Sequence, residues 1–262
     1  MSPSTAAGAR VPCRATRLLL DAAALVLVAI LGIVGAIVGG LGGFGTGMIL
    51  TVGLVPFIGV KAVIPVLAVA GAIINGGRFW FYRQHMQRST LTLVLACALP
   101  FLVLGTWIYS VLDARTVGTV LGVVVILSVP LRRWLNHRQI ALDRTGLAVG
   151  SGVFGLATGV ASGVGVIMIS LLLGTGMTGP AVLATDAMVS IVLDVCKAAL
   201  FQRFSLLDEQ TFGTGVVIGV ATIPGSAIAA WLVNRMHAHL HVLFMEGLIL
   251  VGGASLLWNS WR

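Results

Sequence analysis

The sequence predicts an all-α integral membrane protein: eight transmembrane helices forming two parallel four-helix repeats, each with a glycine-rich broken or re-entrant segment. Three observations predict it. Apolar residues make up 58% of the chain and charged residues only 9%, whereas a soluble domain needs about a quarter of its residues charged. Apolar runs long enough to cross a hydrocarbon core of about 30 Å recur along the whole length. The chain also aligns with itself, without a gap from Gly32 to Arg115, when shifted by 120 positions.

The elements follow in order. Arg10, Arg14 and Arg17 precede an apolar run at residues 18–40. That run is longer than the apolar region of a signal peptide, so it reads as a first span, with residues 1–16 as a disordered cytoplasmic tail. Further spans are expected at 62–82, 91–110, 116–131, 145–162, 181–203, 211–232 and 241–258. The stretches 46–58 and 164–174 are too short to cross and read as re-entrant or broken segments. Such backbone is tolerated at membrane depth only where it lines a cavity or is buried in protein. Residues 17–135 then form the first repeat and 136–262 the second, in one membrane domain.

With eight crossings, Arg10, Arg14, Arg17, Arg83, Arg88, Arg132, Arg133, Arg138, Arg144, Arg203 and Arg262 share one side, and Lys61, Arg115 and Arg235 the other. The positive-inside rule makes the richer side, with both termini, cytoplasmic. The net charge of +8 is therefore a matter of topology. No basic stripe interleaved with aromatics is present, and no nucleic-acid partner is expected. Cys13, Cys97 and Cys196 are isolated, which argues against a disulfide framework.

The repeat is visible residue by residue. Gly32, Gly35, Gly39, Gly43 and Gly45 fall on Gly152, Gly155, Gly159, Gly163 and Gly165; Met48-Ile49 falls on Met168-Ile169 and Gly59 on Gly179. Phe81 and Arg83 fall on Phe201 and Arg203, Gly105 on Gly225, and Arg115 on Arg235. An even number of crossings per unit predicts parallel repeats about an axis along the membrane normal.

The spacing of Gly35, Gly39 and Gly43 is small-xxx-small, which lets helix backbones approach closely. The denser run Gly42–Gly47 breaks a helix and frees backbone amides. Interrupted segments at matching places in two halves point to a transporter site, and amides at a half-helix N-terminus favour an anion. Gly43, Gly45, Thr46, Ser162, Gly163 and Gly165 are the candidates there. No Walker loop and no GxGxxG after a strand is present, so nucleotide binding is rejected.

Ionisable residues inside a span are functional candidates by default. Asp186, Ser190, Asp194 and Lys197 fall within an arc of about 80° on one span. Asn75, Arg78 and Tyr82 fall within about 60° on the matching span of the first half. Two cations facing one cavity would bind an anion: Asn75, Arg78, Ser190 and Lys197 are candidate substrate ligands, and Asp186 and Asp194 candidate proton carriers. Plainer readings stand beside this one. Asp194 and Lys197, at i,i+3, can neutralise each other. Arg78 and Lys197 can snorkel to the headgroups. Asp186 near its helix start suits the helix dipole.

His237, His239 and His241 alternate and so share no helix face, and they read as a polar loop, not a metal site. Glu246 reads equally as packed or pore-facing. Trp107, Trp134, Trp231, Trp258 and Trp261 fall near span ends, as interfacial anchors do. No catalytic constellation appears at helix-compatible spacing, so neither an enzyme nor a cofactor is expected. The partners expected are a small anion and the lipid bilayer. The small-residue faces fit internal packing or a homodimer equally well.

The glycine segment Gly35–Pro56, its echo Gly155–Gly176 and the matched spans ending at Arg83 and Arg203 resemble the sulfite exporter TauE/SafE family, also grouped as toluene-sulfonate uptake permeases. The resemblance runs from about Leu18 to Trp258. It implies eight spans from a four-span duplication, and secondary transport of sulfite, organosulfonates or related anions across a bacterial inner membrane. The chain departs from the pattern at Phe44, which interrupts the first glycine run, and at Gly163-Val164-Gly165, which no proline follows. Transport of another metabolite anion, or of a cation held by Asp186 and Asp194, remains a reading of the same residues, as does a non-transporting assembly subunit.

Overall fold

The computed structural model describes residues 26, 29–37, 46–137, 141–233, 247, 250–251 and 253–258, and among these the regular structure is entirely helical. The helices are α1 (residues 29–37), α2 (Thr46–Ile58), α3 (Val60–Tyr82), α4 (Arg88–Val111), α5 (Ala114–His137), α6 (Arg144–Val160), α7 (Gly165–Gly174), α8 (Pro180–Arg203), α9 (Glu209–Val233) and α10 (residues 253–258). A single 3₁₀ turn, Arg83–His85, follows α3. Among the described residues, three segments are long and apolar enough to cross a membrane: Val60–His85, Arg88–Val111 and Ala114–Leu131. α8 is as long as α4, but Asp186, Asp194 and Lys197 interrupt its apolar surface. The helices α2 and α7 are short, as the sequence predicts.

An offset of 120 carries α3 onto residues 180–202, where α8 lies, and α4 onto 208–231, where α9 lies. The matching glycines that precede α3 and α8 both take positive φ, 80° at Gly59 and 55° at Gly179. This backbone is open to glycine at little steric cost.

The relative direction of the halves departs from expectation. Arg78, late in α3, pairs with Asp186, early in α8. Gly71, in the middle of α3, faces Asp194, further along α8. The Gln87 N–H, beyond the end of α3, donates to Thr185 Oγ1 at 3.2 Å. At the opposite end of the bundle, Phe201 packs edge-on against Tyr109 at 5.3 Å. The Tyr109 hydroxyl donates to the Val60 and Lys61 carbonyls there. These contacts run in opposite order along the two chains, so α3 and its repeat equivalent α8 are antiparallel. The halves are inverted, and the parallel arrangement predicted from the sequence does not hold.

The reason lies in the first element of each half. The Leu142 N–H donates to the Gly174 carbonyl at 2.7 Å. Hence α6 and α7 form a hairpin that enters and leaves at the same end. Residues 145–162, expected to cross, are one arm of it. The helices α1 and α2 are likewise antiparallel, with Gly35 against Leu50 and Ile49 and Gly53 against Leu31. The residues 18–28 that the first expected span also includes lie outside the described set, apart from Val26. With its hairpin set aside, the first half keeps α3, α4 and α5 among the described residues, an odd number, as inversion requires. The crossing expected at 145–162 is thus not seen, and the first and last expected spans lie largely outside the described residues. Inversion also places Arg203 at the end of Lys61 and Arg115, opposite Arg83, Arg88 and Arg144. This moves one arginine of the expected cytoplasmic set to the other side. The terminal residues themselves lie outside the described set.

Lipid tails give no hydrophobic drive for one helix to leave them for another, so close van der Waals packing must hold the bundle. Glycines supply it. A Cβ at Gly159 would come within 2.7 Å of the Leu102 carbonyl oxygen and the Thr106 nitrogen, and Gly155 and Gly105 seat directly on the Ala98 and Leu156 carbonyls. This is the α4–α6 interface. The inverted half repeats it between α9 and α1, where Gly225 meets Ile33 and Ala36 and Gly32 meets Ile218 and Ala221. Gly39 and Gly43 lie outside the described residues, as do His237, His239, His241, Glu246, Trp261 and Cys13. Trp107, Trp134 and Trp258 are exposed, as anchors should be.

Outside the spans, Asp113 and Asp208 sit just before α5 and α9. Hydrogen bonds from Thr116 and Thr211 hold their carboxyls below the usual carboxylate range. A depressed carboxylate stabilises the fold at neutral pH, and that contribution fades as pH falls through its folded-state value.

Candidate functional site

The two hairpins point at each other. α2 begins at Thr46 and α7 at Gly165, and their N-terminal ends meet inside the bundle. A Cβ on Gly47 would lie 2.9 Å from the Gly163 nitrogen and 3.1 Å from Ser162 Oγ. Gly163 has φ 83°, and a Cβ there would lie 2.7 Å from the Met48 nitrogen. Only a residue without a side chain fits either requirement. Val164, which precedes α7, places no side-chain cap on it. The Ile167 N–H donates to the Val164 carbonyl at 3.0 Å, and the Gly165 and Val166 amides keep their hydrogen-bonding capacity at the positive end of the helix dipole.

Beside this junction lies a cavity of about 130 Å³. The hairpin tips contribute Thr46, Gly47, Ser162, Gly163 and Gly165, and α3 contributes Gly71, Asn75 and Arg78. The α6 arm contributes Phe154 and Thr158; α8 contributes Asp186, Ser190, Asp194 and Lys197. Every candidate residue that is described thus lines one cavity. Gly43 and Gly45 lie outside the described residues.

Four charged side chains face it in two pairs. Arg78 pairs with Asp186 across the halves. Lys197 pairs with Asp194 along α8 at 3.1 Å and donates to the Thr158 carbonyl at 3.3 Å. Asn75 lines the same cavity wall as Asp194. The lysine side chain is 1% exposed and that of Arg78 26%. Lys197 therefore does not snorkel, and the i,i+3 neutralisation with Asp194 is real but coexists with a place in the cavity wall. Because the halves are inverted, the two cations approach the cavity from opposite ends of the bundle, not at one depth as parallel repeats would have it. Of the four buried polar atoms that lack a partner among the described residues, Arg78 Nε, Asp186 Oδ1 and Thr158 Oγ1 belong to residues lining this cavity, and the fourth is Thr106 Oγ1. Buried polar atoms normally find partners, so each marks a place where a bound molecule or water is expected.

Sequence reasoning missed Gly71 and Thr158. Gly71 shares a face with Asn75 and Arg78 at i, i+4 and i+7, a signal that was available. A Cβ at that position would overlap the Asp194 carboxylate. Thr158 gave no signal, because its role comes from α6 meeting α8.

The family profile described as Sulfite exporter TauE/SafE matches residues 28–256, most of the chain. No curated protein and no solved structure matches it.

Proposed function

Since the chain belongs to the sulfite exporter TauE/SafE family, a family of multi-pass membrane transporters, we propose that it is a secondary transporter. It exports a small sulfur-containing anion, such as sulfite or an organosulfonate, with a proton. The observation that carries this reading is the meeting of two half-helix N-termini, α2 and α7, at one buried cavity flanked by Arg78 and Lys197. Half-helix N-termini turned toward an anionic group are the membrane form of the helix-end anion site. The cation reading of Asp186 and Asp194 is disfavoured, because each carboxylate already has a cationic partner.

Charge balance supports the proton. The two cations and two carboxylates sum to zero, and an added anion would leave a net negative charge in a water-poor site. Uncompensated buried charge costs several kcal/mol, and one proton taken up with the anion removes it. Inversion supports alternating access: exchanging the conformations of the two halves would expose the site to the other side.

The test is flux into vesicles reconstituted with the protein, using sulfite, thiosulfate, sulfate, sulfoacetate and taurine, each with and without a pH gradient. Saturable flux of at least one, responding to the gradient, is expected. No flux of any of them through folded protein would remove the reading.

A further inference from the structure

We infer that the transported anion carries its own hydrogen-bond donor, an O–H or N–H, beside its anionic oxygens, and that Asp186 accepts from it. This rests on the anion-transport reading and narrows its substrate class.

The argument is an inventory of unfilled capacity in the cavity wall. Donors that can meet an anion are Arg78 Nε, the Gly165 and Val166 amides at the start of α7, and the third N–H of Lys197. The other two N–H groups of Lys197 suffice for Asp194 and the Thr158 carbonyl. Those donors suit any sulfonate or sulfur oxyanion. Asp186 Oδ1 does not. It is an acceptor, it lacks a partner among the described residues, and its residue is 2% exposed. The other oxygen of that carboxyl is held by Arg78.

An anion with acceptors alone would satisfy the donors and set its oxygens against this one. A buried acceptor left unpaired loses affinity, and a site built to bond a ligand's OH or NH discriminates against the analogue that lacks it. A ligand bearing a donor satisfies both demands at once. Thr158 Oγ1, also unpartnered and 8% exposed, can rotate to donate or accept and so adapts to either end of it. The assignment also divides the carboxylates. Asp186 stays charged as the ligand's acceptor, and Asp194, beside Lys197, is left to carry the coupling proton.

The probes are 2-hydroxyethanesulfonate and ethanesulfonate, which differ by one hydroxyl, measured by equilibrium binding to the purified full chain. The hydroxylated compound is expected to bind about tenfold more tightly or better. Asp186→Asn can keep its oxygen toward Arg78 and present its amide N–H₂ to the ligand, and this variant should erase or reverse the preference. Equal affinity in the wild-type protein overturns the inference and leaves the transport reading standing; that result is expected if a water fills the acceptor. Binding of neither compound to folded protein also overturns the inference, and the transport reading is then decided by the flux panel.

Discussion

Replacing Arg78 by glutamine lowers anion flux by about a hundredfold or more and also destabilises the protein. The two effects have one cause. Arg78 is the partner of Asp186, whose side chain is 3% exposed, and its Nε faces the cavity without a partner among the described residues. Breaking a buried pair from one side costs about 3–5 kcal/mol, because the remaining charge is stranded. Removing both partners costs far less, so Arg78→Gln with Asp186→Asn should recover most of the lost melting temperature. It should not recover flux, since the guanidinium donors that meet the anion are still missing. Thermal melting and vesicle flux on the same preparations separate the two. Recovery of flux together with stability would mean that Arg78 serves only to neutralise Asp186. Lys197→Gln should follow the same course, with Asp194 left without its cation.

Gly163→Ala should be nearly as damaging to transport with little loss of helix. The residue has φ 83°, and its new Cβ would meet Met48 Cγ at 2.5 Å and the Met48 nitrogen at 2.7 Å. The methionine side chain can move, but the backbone nitrogen cannot without pushing the tip of α2 away from that of α7. Positive φ adds about 1 kcal/mol or more of strain. The helices α4 and α6 pack elsewhere, so circular dichroism should change little, whereas flux should fall at least about tenfold. Wild-type flux in this variant would show that the junction of the two tips does not shape the site. Gly176 also has positive φ, but a Cβ there meets nothing within 4 Å. Gly176→Ala is therefore the control that carries backbone strain alone.

Much of the site could be read from residues along single helices. The stripe Asp186, Ser190, Asp194 and Lys197 needed only the helical period, and so did Asn75 with Arg78. The glycine runs announced the two broken segments because glycine density alone defeats a helix. Pairing across elements was not legible. Nothing in the sequence joins Arg78 to Asp186, or Lys197 to the Thr158 carbonyl, since both depend on which helices become neighbours.

The direction of the second half was misread for a definite reason. A self-alignment at a fixed offset is the same for parallel and inverted repeats, and only the parity of crossings distinguishes them. Parity turned on residues 145–162, which are apolar and almost long enough to cross. Their return through α7 to the end they entered is shown by contacts such as Leu142 to Gly174 and Gly150 to Leu171, which leave no compositional trace. Counting that arm as a crossing changed the parity, and with it the side assigned to Arg203.

The site depends on this inversion, since only antiparallel halves bring the N-termini of α2 and α7 together from opposite ends. His85 and Ser205 occupy equivalent positions in the repeat, and both are exposed. With Cys13, Cys97 and Cys196 changed to serine, His85→Cys and Ser205→Cys would each be offered a membrane-impermeant maleimide from one side of sealed vesicles. The inverted arrangement predicts that one is labelled and the other only after the membrane is opened. Labelling of both from the same side would contradict it, and with it the meeting of the half-helices on which the anion site is built.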